Sequence, residues 1–321
     1  MKANGSEQPA SLAYLQRRGE DRLTASAVTG SNNLRDRSLV HQLSQPGRPL
    51  PQTALREWLP SEAVRIASHW LGRRIRFQGD YPNWEAAARR GEGYDAQAIL
   101  AKSRETTQMA RSGAAAEARD GVALSHAADR YPMLTGLLRA AALNEGRLRV
   151  LDFGGALGGT YFACRPFLKG LAEVRWDVVE QPNFAECGRE FFADDVLAFF
   201  SSLDEAFAHR RPDVVIFSSV LQYLEDPHAV MCGVVRQGVR HVVIDRTPVV
   251  SGERDIVTLQ EVPARILRSS YPARLLTRAS LLKPFGADYC LAGEFDAIDA
   301  PVGGLARRVR FVGYLLERET S

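Results

Sequence analysis

Asp152 is a carboxylate set inside the apolar run Val150–Phe153, and glycines follow it at positions 154, 155, 158 and 159. Residues of these types at this spacing have a definite chemical use. Glycine has no side chain to hold a ligand away, so a strand ending in such a turn brings its backbone close to whatever it binds. A helix over Tyr161–Leu168 would aim its first free N–H groups at the same place. The carboxylate suits a ligand with a cationic amino group and would repel a pyrophosphate. A dinucleotide turn of the form G-x-G-x-x-G, counted from Gly154, would need glycine where Ala156 stands. An ordinary strand-to-helix turn that binds nothing is the remaining alternative.

In open parallel sheets, ligands lie outside the carboxyl ends of the strands, near the switch in strand order. The residues after each apolar run are therefore the candidates. Glu180 and Gln181 follow Val174–Val179, where a carboxylate can accept both hydroxyls of a ribose; a solvated strand-end glutamate is the alternative. Asp194 and Asp195 follow a weak run near Phe191–Phe192, and Asp195 is the choice for accepting from an adenine amino group, against an exposed turn. Ser218 and Ser219 end the run Val214–Phe217, with Gln222 and Tyr223 one turn on at the same edge. Asp245 and Arg246 leave the run Val242–Ile244 as a substrate contact or as an internal ion pair.

Short apolar runs alternating with helical segments from Arg149 onward signal a parallel sheet with crossover helices. Tyr289–Phe295 and Val309–Leu316 are separated only by a loop rich in Gly, Asp and Pro, which fits a hairpin. The expected fold class is α/β: a doubly wound, mostly parallel, seven-stranded Rossmann-like sheet with an N-terminal helical extension. Residues 1–52 read as a disordered tail rich in Gln, Ser, Asn, Gly and Arg. Residues 53–146 read as a helical extension or lid: a helix from Ser61, a short one capped by Asn83, one from Asp95 to about Arg111, and one carrying Tyr131, Leu134, Leu137 and Leu138. Residues 147–321 form the ligand-binding domain.

Composition narrows the class further. Of 41 basic and 38 acidic residues, the first fifty positions hold seven and four, so the remainder is neutral and carries no footprint for nucleic acid. Four widely spaced cysteines without a C-x-x-C pair read as reduced thiols rather than disulfides or a metal site. No apolar run approaches the ~18 residues of a membrane span. With no signal-peptide core, the expected setting is reduced, soluble and cytoplasmic.

The turn D-x-G-x-x-x-G is close to the E/D-x-G-x-G-x-G loop of S-adenosylmethionine-dependent methyltransferases. The segments FQGDYPNWEAA, GYDAQAILAK, ARDGV, LDFGGALGGTYF, WDVVEQPNF, FSSVLQYLEDP, IDRTPV and SSYP together make the chain similar, from about Phe77 to Phe295, to one family of class I S-adenosylmethionine-dependent methyltransferase-like proteins. The combination is far more specific than any one motif. The resemblance implies that fold, S-adenosyl-L-methionine as cofactor, and a small-molecule, sugar-like acceptor, because family members accompany surface-polysaccharide and other secondary biosynthesis.

The candidate cofactor contacts are then Asp152, Gly154, Gly155, Gly158, Tyr161, Glu180, Gln181, Asp195 and Ser218. Arg119, Gln222, Tyr223, Arg246 and Tyr271 are the candidate acceptor contacts. Asp120, in the lid-like ARDGV segment, and Asp245 are the candidate catalytic carboxylates; His126 and His228 read as structural. An alcohol acceptor benefits from a general base, whereas an anionic one would call on Arg119 or Arg246. The competing functions are a catalytically silent, partner-binding protein of the same fold and a nicotinamide-dependent oxidoreductase.

Overall fold

The computed structural model describes residues 76–91, 96–119, 121–125, 130–262, 269–297, 299 and 304–319. The expected tail, the helix at Ser61, the Asp95 cap, Asp120 and His126 lie outside the described residues. The chain divides into two units, Met1–Leu59 and Pro60–Ser321, and every described residue belongs to the second.

In chain order the elements are β1 (Arg76–Tyr81), α1 (Trp84–Ala88), α2 (Ala96–Ser112), β2 (Glu117–Arg119), β3 (Val122–Leu124), α3 (Tyr131–Ala142), β4 (Arg147–Phe153) and α4 (Gly159–Leu168). They continue as β5 (Glu173–Val179), α5 (Pro182–Phe191), β6 (Leu197–Phe200), α6 (Leu203–His209), β7 (Val214–Ser218), α7 (Pro227–Arg236) and β8 (His241–Val250). The rest are β9 (Ile256–Val262), β10 (Ser269–Leu275), α8 (Arg278–Leu282), β11 (Tyr289–Asp296) and β12 (Val309–Arg318).

Seven strands form the main sheet in the order β11-β12-β8-β7-β4-β5-β6. β6, β5, β4, β7 and β8 are parallel, and β12 runs antiparallel between β8 and β11. This is the Rossmann-like methyltransferase sheet, with its switch in strand order at β4. The apolar runs make it: Leu148, Val150, Leu151, Trp176, Val178, Val214 to Phe217 and Val242 to Ile244 are buried, as central strands covered on both faces must be.

The region upstream of β4 is not all-helical. β1 joins β9 and β10, which lie in the chain between β8 and β11, in a separate three-stranded antiparallel sheet. The ARDGV segment is a β-hairpin, with Glu117, Ala118 and Arg119 paired to Leu124, Ala123 and Val122. The Asn83 cap is present: its side chain accepts from the Ala86 N–H at 2.9 Å. Phe191 ends α5, and the third parallel strand is Leu197–Phe200 instead of the weak run near Phe191–Phe192.

α3 packs Met133, Leu134, Leu137, Ala140 and Ala141 inward, a 3.6-residue stripe. It approaches the sheet closely at Gly136, where a Cβ would stand 2.8 Å from Leu315 and 3.3 Å from Val243. Leu138, on the other face, is 39% exposed, while Leu137 is 0% exposed. Leu137→Ala is therefore expected to cost about 2–5 kcal/mol of unfolding free energy in urea titrations, and Leu138→Ala less than about 0.5 kcal/mol. Equal costs would contradict this packing.

Candidate active site

The chain turns from β4 into α4 through residues that few side chains tolerate. Gly154 and Gly158 have φ of +73° and +85°, and Ala156 between them is also left-handed, at +49°. Gly155 has a different reason: a Cβ there would stand 2.6 Å from Asp152 Oδ2. The carboxylate thus lies directly against the turn. Asp152 is buried, accepts from Trp176 Nε1 at 3.3 Å, and is hydrogen-bonded by Thr160. Burial pushes its pKa up to about 6, against the lowering effect of Arg130 and those hydrogen bonds.

The β2–β3 hairpin closes over this turn. A Cβ at Gly159 would collide with the Ala118 carbonyl oxygen, so the first turn of α4 and the hairpin backbone are in close contact. Glu117 is fully buried beside two guanidiniums: Arg130 Nη2 at 2.8 Å and Arg119 Nε at 3.1 Å. Arg130, just before α3, also donates to Ser218 Oγ at 3.2 Å and to Asp245 Oδ2 at 3.3 Å. Ser218 Oγ donates to the same Asp245 oxygen at 2.9 Å. Burial disfavours the Arg130 charge, but Glu117 and Asp245 outweigh it and hold its pKa above the ordinary arginine value. A cavity of about 80 Å³ remains between hairpin, α2 and turn, and the residues that line it include Asp152, Gly154, Gly155, Ala156, Arg119, Arg130, Arg246 and Ser218.

The other expected residues divide clearly. Glu180 ends β5; its Oε2 accepts the Gln181 N–H at 2.6 Å, and the Ala156 N–H also bonds to it, so it ties the turn to the next strand. Burial raises its pKa against those two bonds. Gln181 is the exposed cap of α5. Gln222 and Tyr223 follow β7 as expected; Tyr223 meets Tyr271 of β10 edge-on at 5.3 Å, and Gln260 Nε2 donates to both hydroxyls at 3.0 and 3.1 Å.

The remaining expected residues are placed as follows. Asp195 precedes β6, at the amino end of that strand, because the strand begins at Leu197; the carboxyl-end position belongs to Ser201. Tyr161 is buried, with its ring against Phe162 and Trp176. Asp245 and Arg246 do not pair with one another: Asp245 serves Arg130 and Ser218, and Arg246, at φ +51°, pairs with Asp299 at 2.6 Å. His228 accompanies Ser280, with its ring nitrogen 2.9 Å from the Ser280 carbonyl. Arg130, Glu117 and Gln260 are the residues that the sequence reading missed.

No family model and no curated protein matches this chain. Several solved structures are similar to it. The N-terminal domain of EvdMO1 with SAH bound is 16% identical, with a TM-score of 0.41 over 71% of this chain and 98% of that one. Magnesium protoporphyrin IX methyltransferase (ChlM) from Synechocystis PCC 6803 with bound SAM is 13% identical, with a TM-score of 0.38 over 60% and 81%. A S-adenosylmethionine dependent methyltransferase from Mesorhizobium loti is 16% identical, with a TM-score of 0.37 over 60% and 99%. The fold assignment itself rests on the strand order given above.

The Asp152 pKa carries a stability consequence. Its folded value lies above the ordinary 3.8, so the folded chain holds this proton more tightly than the unfolded chain. That contribution is fully present below pH 3.8 and is lost as the pH rises through about 6. At pH 7 the ionised carboxylate is a cost. Asp152→Asn is expected to raise the unfolding free energy at pH 7 by about 1–3 kcal/mol, at 1.36 kcal/mol per pKa unit, and to flatten its slope between pH 4 and 6. A variant less stable than wild type at pH 7 would refute this.

Proposed function

We propose that the chain is an S-adenosyl-L-methionine-dependent methyltransferase that methylates an oxygen of a small, sugar-like acceptor. The observation that carries the reading is the residue set around the 80 Å³ cavity: one acidic residue, Asp152, and three arginines, Arg119, Arg130 and Arg246, beside a glycine turn. That set fits the two charges of an α-amino acid end, ammonium on Asp152 and carboxylate on a guanidinium. The cavity is far below the roughly 300–1,000 Å³ of a whole small-molecule site. The nucleoside part would therefore lie outside it, along the carboxyl edge, where Glu180 offers an acceptor for the ribose hydroxyls.

The cofactor supplies a methyl group already activated on a sulfonium. The residues of this chain then have positioning tasks. Ser218 and Arg130 border the reacting side, and Asp245 orients both through one oxygen. Alignment of this kind contributes several kcal/mol, up to roughly 7–11 in the best intramolecular cases. Gln222, Gln260, Tyr223 and Tyr271 form the acceptor wall. Among the described residues, the Oε1 atoms of Gln222 and Gln260 are buried without a hydrogen-bond partner, which supports a hydroxyl-bearing acceptor over an apolar one.

Asp120 is the proposed general base, since its chain neighbours Arg119 and Gly121 both line the cavity. Asp120→Asn is expected to lower turnover strongly and to leave cofactor affinity within about threefold, the pattern of an interaction made only in the transition state. Single-turnover methyl transfer read beside equilibrium binding tests it; a parallel loss of both would remove the assignment.

Calorimetry with S-adenosylhomocysteine and with NAD separates the functions. Binding of the first and not the second is expected. Glu180→Ala should weaken it by roughly 1.5–3 kcal/mol, the scale of a hydrogen bond to a charged group. Glu180→Gln, which keeps an acceptor for the Ala156 and Gln181 N–H groups, separates ribose binding from support of the turn. Unchanged affinity in Glu180→Ala would end the ribose assignment. Absence of binding in the wild type would favour the silent, partner-binding alternative. Gly154→Val is a poorer probe, because at φ +73° and against Val220 it perturbs the fold itself.

A further inference from the structure

The opposite edge of the main sheet holds a second cavity, which the proposed reaction does not use. It is open, about 730 Å³ in volume, and forms where the chain enters β7, β8 and β11 and leaves β12. Arg149, Arg211, Arg240 and Arg318 line it, with Asp213, Asp288 and Glu319. The carboxylates do not neutralise the arginines in place. Asp213 Oδ2 accepts the Arg149 backbone N–H at 2.9 Å, and the Arg149 side chain leans to Glu173 at 3.8 Å. Among the described residues, Arg211, Arg240 and Arg318 have no carboxylate within 4.0 Å.

Gly238 records how closely two of these cations approach. A Cβ at that position would stand 2.5 Å from Arg318 Nη1 and 3.3 Å from Arg211 Nη2. The two guanidiniums therefore come within about 6 Å of each other, a separation at which like charges repel. The carbonyl end of α7 offsets part of this, since Arg211 Nη2 donates to the Gln237 carbonyl at 3.5 Å. A helix C-terminus carries only about half a negative charge, less than one guanidinium, and the cavity is lined by three exposed arginines that lack a carboxylate partner among the described residues.

We propose that this cavity is a binding site for a small anion carrying two or more phosphoryl groups, clamped between Arg211 and Arg318 with Arg240 beside them. Guanidiniums match phosphate oxygens in bidentate fashion. The volume lies within the range of small-molecule sites and exceeds what one phosphate fills. The site is separate from the glycine turn, which lies at the carboxyl end of β4.

The test uses the full chain, with pyrophosphate, orthophosphate and citrate as probes in calorimetry and thermal unfolding at low salt. Pyrophosphate is expected to bind most tightly and to raise the unfolding midpoint, without displacing S-adenosylhomocysteine. The double variant Arg211→Gln, Arg318→Gln is expected to bind pyrophosphate at least about tenfold more weakly. Without anion its midpoint should equal or exceed that of the wild type, because a repulsion has been removed. Arg240→Gln provides a milder variant should the double one fail to fold, with a smaller loss of affinity expected. Failure of the wild type to bind pyrophosphate, equal affinity in the variants, or equal binding of citrate would each overturn the proposal.

Discussion

The Arg130 guanidinium is the interaction on which the arrangement of this site depends. It joins three parts that the chain itself does not hold together: the hairpin through Glu117, the end of β7 through Ser218, and β8 through Asp245. Taking charged groups out of water costs several kcal/mol per ion, and good geometry among all partners is what offsets it. A network of this sort is therefore all or nothing. Removing one member leaves an uncompensated buried charge, so hairpin and strand ends hold one relative position.

The turn beside it is under a different constraint, steric instead of electrostatic. Its glycines are fixed by what surrounds them: Val220 at Gly154, the Asp152 carboxylate at Gly155, Leu197 at Gly158 and the hairpin carbonyl at Gly159. The same glycines that bring the backbone near a ligand thus also let the hairpin settle on α4 and the carboxylate fit beneath the turn. Closeness on one side is inseparable from closeness on the other.

The main sheet was legible because its central strands are buried on both faces and so read as continuous apolar runs. Leu197–Phe200 escaped because Phe191 and Phe192 offered a more obvious pair, though they finish a helix. The small sheet escaped for a physical reason. β9 buries Thr258 and Gln260 among its apolar residues, and β1, with Gln78, Gly79 and Asp80, has no alternation to detect. At the site, Asp152 and Glu180 were visible because a carboxylate at a strand end beside glycines is unusual. Arg130 was not visible, since one arginine before a helix resembles any surface residue until its partners, 13, 88 and 115 positions away in sequence, are brought to it.

On the proposed reading, the buried network and the enclosure of the amino acid end are compatible for a reason of charge count. A carboxylate entering the cavity supplies Arg119 or Arg130 with a new anionic partner, and an ammonium supplies Asp152 with a second cation beside Arg130, which offsets the burial of its charge. The entering ligand brings one charge of each sign, so occupancy adds ion pairs without stranding a residue already paired. A neutral or singly charged ligand has no such balance: an anion alone would face Asp152, and a cation alone would face three guanidiniums. On that reading the cavity favours a zwitterion, at the one end of the ligand that does not react, and leaves Gln222, Tyr223 and Tyr271 to distinguish acceptors.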